Sequence, residues 1–280
     1  MMTDGDVSAP DRAGDLATGA GYSIAGQVAI MELLRAQVAV PPRSRLARVF
    51  GLSPLSRETQ ALYRGVVGEI EVGEALDRLG PEWVVRHEMP AEAELVDIDH
   101  LVIGPAGVFV IATNNHSGSS VWASERTLMV GGVRQPHIRT MEYEMGNAER
   151  ILSSAAGTAV QVSGVLAVVA AKSLVVREKH RDVAVLPASQ LVGWLLRHKR
   201  ALSDAEVARI AEAATLAASW NQEGVVKPLR VREKFETLRS EVRRAGRVQI
   251  AWAIGATVLG VGTFAAITYA ILLSAVGSFN

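Results

Sequence analysis

The stretch Ile98-Asp99-His100-Leu101-Val102-Ile103-Gly104-Pro105-Ala106-Gly107-Val108-Phe109-Val110-Ile111 decides the fold of this chain. It reads as two apolar runs on either side of a tight turn. Gly104-Pro105-Ala106-Gly107 supplies the turn chemistry, since proline fixes one φ and glycine adopts conformations closed to other residues. Ile98–Ile103 and Val108–Ala112 are short, rich in β-branched residues and nearly continuous, which predicts paired strands. Asp99 and His100 are the polar exceptions. Side chains alternate along a strand, so if Ile98 faces the core, Asp99 and Leu101 face the other side of the sheet.

Working outward, Ser56–Leu79 has helical spacing, with Leu62, Val66, Ile70 and Leu76 on one face and Glu69, Glu71 and Glu74 around it. Gly80-Pro81 stops it. Trp83–His87 alternates as a strand. Ser120–Trp122 and Thr127–Val130 predict another hairpin, turning at Gly131-Gly132. Ile138–Ser154 returns to helical spacing through Met141, Met145, Ala148 and Ile151. Val165–Ala170 and Val183–Leu186 read as buried strands. Helices are expected over Ala188–Lys199 and Ser203–Trp220, the second opening on the capping box Ser203-Asp204-Ala205-Glu206. This order predicts an α/β domain, a central mixed sheet flanked by helices, over residues 56–222.

The 280 residues hold 29 basic and 29 acidic side chains and no cysteine. Disulfide scaffolds, thiolate zinc sites and cysteine nucleophiles are therefore excluded. The charges cancel only globally. Residues 65–226 carry 20 acids against 14 Lys and Arg, whereas Pro41–Arg64 nets +4 and Lys227–Asn280 nets +5. Phosphate neutralisation supplies most affinity for DNA, so nucleic-acid binding needs a local basic surface or help from Arg43–Arg64. Lys172, Arg177, Lys179 and Arg181 form one basic loop. His87, His137, His180 and His198 sit among charged residues without metal-ligand spacing and read as surface residues. No phosphate-cradling glycine loop and no Gly-x-Ser-x-Gly elbow is present.

Val248–Asn280 is 33 residues without a charged side chain. Its centre, Ile250–Leu273, spans about 36 Å as a helix, enough for a hydrocarbon core of about 30 Å. Trp252 and Tyr269 lie about 26 Å apart along that helix, one ring for each interface. Arg239, Arg243, Arg244 and Arg247 precede the span and nothing positive follows it. The positive-inside rule then predicts a single-pass protein of the cell membrane with its bulk in the cytoplasm. Residues 1–22 have no basic n-region and no apolar h-region, and read as a disordered tail.

Residues 23–55 read as an amphipathic helix, ended by Pro41-Pro42, and a basic linker carrying Arg43, Arg45 and Arg48 among Leu46, Val49 and Phe50. DNA, anionic headgroups and plain solvent are all open as its surroundings. Residues 223–247 form a basic juxtamembrane helix before the span at 248–276. There Val231, Phe235, Leu238, Val242 and Ala245 alternate spacings of four and three, a two-repeat heptad seam. A coiled coil and a stalk lying on the body or the lipid are the competing readings. Ala256-x-x-x-Gly260 and Gly262-x-x-x-Ala266 leave a homodimer open.

Gly65-Val66-Val67-Gly68-Glu69, leading into a helix that ends Ala75-Leu76-Asp77-Arg78-Leu79, is similar to the opening of the nuclease-related domain (NERD) family, and the Ile98–Ile111 run resembles its central signature. The resemblance covers about Gly65–Trp220. It implies a restriction-endonuclease-like fold of the PD-(D/E)xK type, with a helix carboxylate, an Asp on the first hairpin strand and an acid-x-Lys on the second. By position these are Glu69, Asp99 and the pair Ala112 and Asn114. Alanine supplies no metal ligand, and asparagine supplies no ammonium to stabilise developing charge.

Glu69 and Asp99 are thus the expected remnant catalytic and metal site, with Ala112 and Asn114 at the substituted positions. Asp97, His100, Asn115 and His116 are the candidates for compensation. The expectation is a catalytically degenerate nuclease fold on a C-terminal membrane anchor, binding nucleic acid or protein and holding no cofactor. The alternatives are an active nuclease with relocated ligands using Mg²⁺ or Mn²⁺, and a scaffold acting on anionic lipid through its basic flanks.

Overall fold

The computed structural model describes residues 24–89, 98–219 and 228–277. The tail at 1–22 and the compensation candidate Asp97 lie outside the described residues. The chain divides into two compact units, one of Met1–Ala25 with Gly68–Val225, the other of Gly26–Val67 with Val226–Asn280.

In the first unit the central hairpin is as read. β1 (Val84–Met89), β2 (Ile98–Gly104) and β3 (Gly107–Asn115) pair antiparallel in sequence order, with Gly104 opposite Gly107 across the Pro105-Ala106 turn. β3 continues parallel to β7 (Val162–Val169), and β7 to β9 (Val183–Pro187), giving the order β1-β2-β3-β7-β9. The continuous apolar character of β3 follows from burial on both faces. On one face Leu101, Ile103, Val108 and Val110 meet Ile138, Met141 and Met145 of α4 (His137–Ala156). On the other, Val102, Phe109 and Ile111 meet Val72 and Leu76 of α3 (Arg57–Leu76). Leu101 therefore does not face away from the core, because both sides are core.

Gly104 is required where it stands. A Cβ there would enter the indole ring of Trp83, which itself packs beside Phe109 with ring centroids 6.4 Å apart. The turn is held from outside as well: the carbonyl of Pro105 accepts the N–H groups of Ala201 and Leu202 at 2.7 and 3.0 Å.

A second mixed sheet, not expected from the sequence, has the order β6-β5-β4-β8, with β4 (Ser120–Ala123), β5 (Leu128–Val130), β6 (Val133–Gln135) and β8 (Ser173–Val176). β4 and β5 do form a hairpin, but Gly131-Gly132 turns β5 into β6 rather than closing that hairpin. Both glycines have φ in the left-handed region. The same two chain passes serve both sheets: β3 leads to β4 and β7 to β8, each pair parallel, and a lone bridge between Ser117 and Ala171 joins the ladders. The expected helix at Ala188–Lys199 is a 3-10 turn, Ala188–Gln190, followed by the shorter α5 (Leu191–Leu196). α6 (Asp204–Ser219) opens on the expected capping box, Glu206 N–H donating to Ser203 Oγ and Ser203 N–H to Glu206 Oε2.

The second unit holds α1 (Gln27–Val38), the short α2 (Arg45–Val49), the first turns of α3 and α7 (Pro228–Gly277). The heptad seam is filled from within the chain. Val231, Phe235, Leu238 and Ala245 are buried, α1 packs on α7 with Ile30 and Leu33 fully buried, and the Phe235 ring lies 5.8 Å from Tyr63. From Ile250 to Tyr269 the side chains of α7 are exposed, Leu259 by 72% and Phe264 by 73%. Among the described residues, this apolar helix over Arg230–Tyr269 is the candidate membrane span.

Candidate active site

The hairpin ladder ends with His100 opposite Ile111, and Asp99 and Ala112 are the next residues beyond that last pair on the two strands. Asp99 alternates with Leu101 and Ile103, so it lies on the face covered by α4. Its Oδ2 accepts the backbone N–H of Thr113 at 2.7 Å. Ala112 packs at the margin of the same cluster, and both Ala112 and Asn114 are half-buried. The expected first-strand acid thus bonds Thr113, the residue that Ala112 and Asn114 flank in sequence. Glu69 belongs to α3, on the opposite face, where a Cβ on neighbouring Gly68 would touch Thr113 and Asn115.

Glu144 supplies a carboxyl that the reading of the sequence missed. It lies on the buried face of α4 with Met141, Met145 and Ala148, and is only 6% exposed. Loss of solvent, and then the neighbouring Asp99 charge, push its pKa up to about 8. No hydrogen bond to its carboxyl is present among the described residues. At neutral pH Asp99 therefore faces a largely protonated acid. A glutamate inside an otherwise apolar stripe, Met141-x-x-Glu144-Met145-x-x-Ala148, was the signal in the sequence.

His100 is an internal tie and does not stand with Asp99. It is fully buried on the α3 face; its Nδ1 lies 2.9 Å from His87 Nδ1 and its Nε2 3.4 Å from Thr113 Oγ1. One of the two Nδ1 atoms must donate. His87 Nε2 lies 3.6 Å from Asp77 Oδ1, which favours a proton on that nitrogen, so His100 Nδ1–H donates to His87. Burial holds both imidazoles below the usual range, His100 furthest. His87 is accordingly not a surface residue.

His116 and His137 form a second pair, with ring centroids 5.4 Å apart. Burial lowers the pKa of both, and neither Nε2 has a hydrogen-bond partner among the described residues. His137 too departs from the surface reading. Asn115 is committed locally, its Oδ1 accepting from Ser117 N–H and Oγ–H. His180 and His198 make other contacts, to Glu142 and to the Trp194 carbonyl.

The fold implied by the resemblance uses a hard divalent cation, which is held by anionic oxygen. Among the described residues no three His, Cys, Asp or Glu side chains gather as a metal cluster. Asp99 and Glu144 are the two carboxyls that come together here, short of the set such an ion needs, and Ala112 contributes nothing. A cleft of about 850 Å³ opens instead at the other end of β3, beside Gly107–Phe109, and contains none of these residues.

No curated protein matches the chain. A solved structure, Pyrococcus furiosus SfsA in complex with Ca²⁺, is similar over 57% of this chain and 54% of its own, at 16% identity and a TM-score of 0.20. The present chain thus spans about half of that protein's length, and so low a score says nothing about mechanism. The family model of the nuclease-related domain matches residues 64–168, from within α3 to the end of β7. Asp99, the Gly104–Gly107 turn, Ala112, Asn114 and Glu144 all fall inside that match: residues 64–168 carry a nuclease-related domain.

Proposed function

We propose that this chain is a nuclease-fold binding module, catalytically silent, held at the cytoplasmic face of the cell membrane by α7. The observation that carries the reading is the pair Ala112 and Asn114, which stand beside Asp99 without the acid and the lysine that phosphodiester chemistry uses there. The Arg239–Arg247 cluster ahead of the apolar half of α7 supports the orientation. Nucleic acid or a protein is the partner of the domain. The test is plasmid cleavage by the full chain in detergent with Mg²⁺ or Mn²⁺. No cutting above an Asp99→Ala control is expected.

Glu144 favours a second reading, an active nuclease with a relocated ligand. Asp99 and Glu144 would hold the cation, whose chemistry is to polarise a phosphoryl oxygen. Asp99 would be held in place by the Thr113 N–H, and Glu144 would have to give up its proton. Cleavage lost in both Asp99→Ala and Glu144→Gln would put this reading in place of the first.

A further inference from the structure

The segment between α1 and α3 carries an apolar surface that the protein leaves bare. On α2, Leu46, Val49 and Phe50 share one side at helical spacing and are exposed by 69, 53 and 51%; Leu52 follows at 51%. Single exposed apolar residues are ordinary, but four within seven positions are a patch. Arg45 and Arg48 stand exposed among them, and residues 41–57 contain no acid at all.

This segment is tied to α7 at the level where its charges stop. Trp252 Nε1–H donates to the carbonyl of Val49 at 2.8 Å, and the Phe50 ring lies 5.4 Å from the Trp252 indole. Arg43 bonds Glu241 at 2.9 Å and the carbonyl of Leu52 at 3.0 Å. Gly51, at φ 70°, brings the backbone so close that a Cβ would collide with the Ala245 carbonyl and the Gln249 amide. Nearby on α7, Arg243, Arg244 and Arg247 are exposed. Trp252 itself lies two residues into the exposed apolar half.

We propose that α2 and its flanks form an interfacial collar, lying in the anionic headgroup layer around the point where α7 enters the bilayer. This rests on the membrane-anchored reading of α7. Lipid is the occupant the surface fits: the patch is continuous with the exposed apolar flank of the candidate span, its only charges are positive, and its aromatic anchor is a tryptophan. Leu46, Phe50 and Leu52 reach the acyl boundary, and the arginines meet headgroup phosphates. The Trp252–Val49 hydrogen bond satisfies both polar groups where water thins out. The collar thereby fixes the depth of α7 and keeps it from sliding along the membrane normal.

The chain has no native cysteine, so single-cysteine variants of the full protein take one spin label each. Leu46→Cys and Leu52→Cys report on the collar, Leu259→Cys on the span, and Glu125→Cys, in an exposed turn of the nuclease-related domain, on bulk water. Power saturation in phosphatidylcholine–phosphatidylglycerol nanodiscs compares access to oxygen and to an aqueous nickel reagent. Labels at 46 and 52 are expected to be several-fold less accessible to nickel than the label at 125. Accessibility equal to position 125, with 259 protected, overturns the collar and leaves the anchor standing. A water-exposed label at 259 overturns both.

Discussion

The backbone N–H of Thr113 donates to Asp99 Oδ2 at 2.7 Å, so the signature aspartate is tied to the second strand of its own hairpin, where its negative charge adds to the raised pKa of Glu144. That charge is a secondary cause of the raised Glu144 pKa, after burial. In Asp99→Asn the Glu144 titration, followed by carboxyl carbon NMR, should move below its value of about 8 yet stay above the ordinary 4.5.

The pH dependence of stability has two opposed arms. Glu144 binds its proton more tightly when folded, so its contribution is complete below about pH 4.5 and declines until about pH 8. Glu144→Gln should remove that decline and stabilise the domain at pH 9 by about 2–4 kcal/mol. His100 acts in the other sense. Its folded pKa lies well below 6.5, so stability is present above pH 6.5 and is lost as pH falls toward that lowered value. Chemical denaturation across pH 5–9 of both wild type and Glu144→Gln checks both arms.

Restoring the two missing groups tests the silent-site reading directly. Ala112→Glu with Asn114→Lys should create Mg²⁺- or Mn²⁺-dependent plasmid nicking, and Asp99→Ala in that background should abolish it. If the double variant cuts no better than wild type, the silent-site reading loses its basis in these two positions.

Packing around the turn gives a prediction independent of chemistry. Gly104→Ala drives a methyl into Trp83 and should cost about 1–3 kcal/mol, as overpacked cores do. Ala170 is the one non-glycine residue with positive φ among the described residues, at 53°. Ala170→Gly should be neutral to stabilising by about 1 kcal/mol, since glycine meets no Cβ penalty there. Thermal melts of both variants distinguish the two signs.

The hairpin, its turn and its helices were legible because each is written locally, in Gly104–Gly107, in the apolar Val108–Ala112 run and in the periodicity of Ile138–Ser154. β6 and β8 were not. Three or four residues that stay largely exposed, as Ser173–Val176 do, show no period to read. Glu144 escaped because its nearness to Asp99 depends on how α4 packs over β3 and β7, a relation set across the sheet and not by spacing. The seam of α7 was visible, but a heptad pattern does not say which helix fills it. Here α1 and the start of α3 do so from the same chain.

Between the two sheets the paired strands fall out of step. Asn115 stands opposite Val169 and Ser120 opposite Ser173, so five residues along one strand answer four along the other. The surplus residue lies in His116–Ser119, and Gly118 and Ala170, both at positive φ, absorb the mismatch on the two sides. An odd offset reverses which side chains look up and which look down. That unequal count keeps the two ladders from running on as a single sheet: the corner at His116–Ser119 is where one hydrogen-bonded layer ends and the next begins.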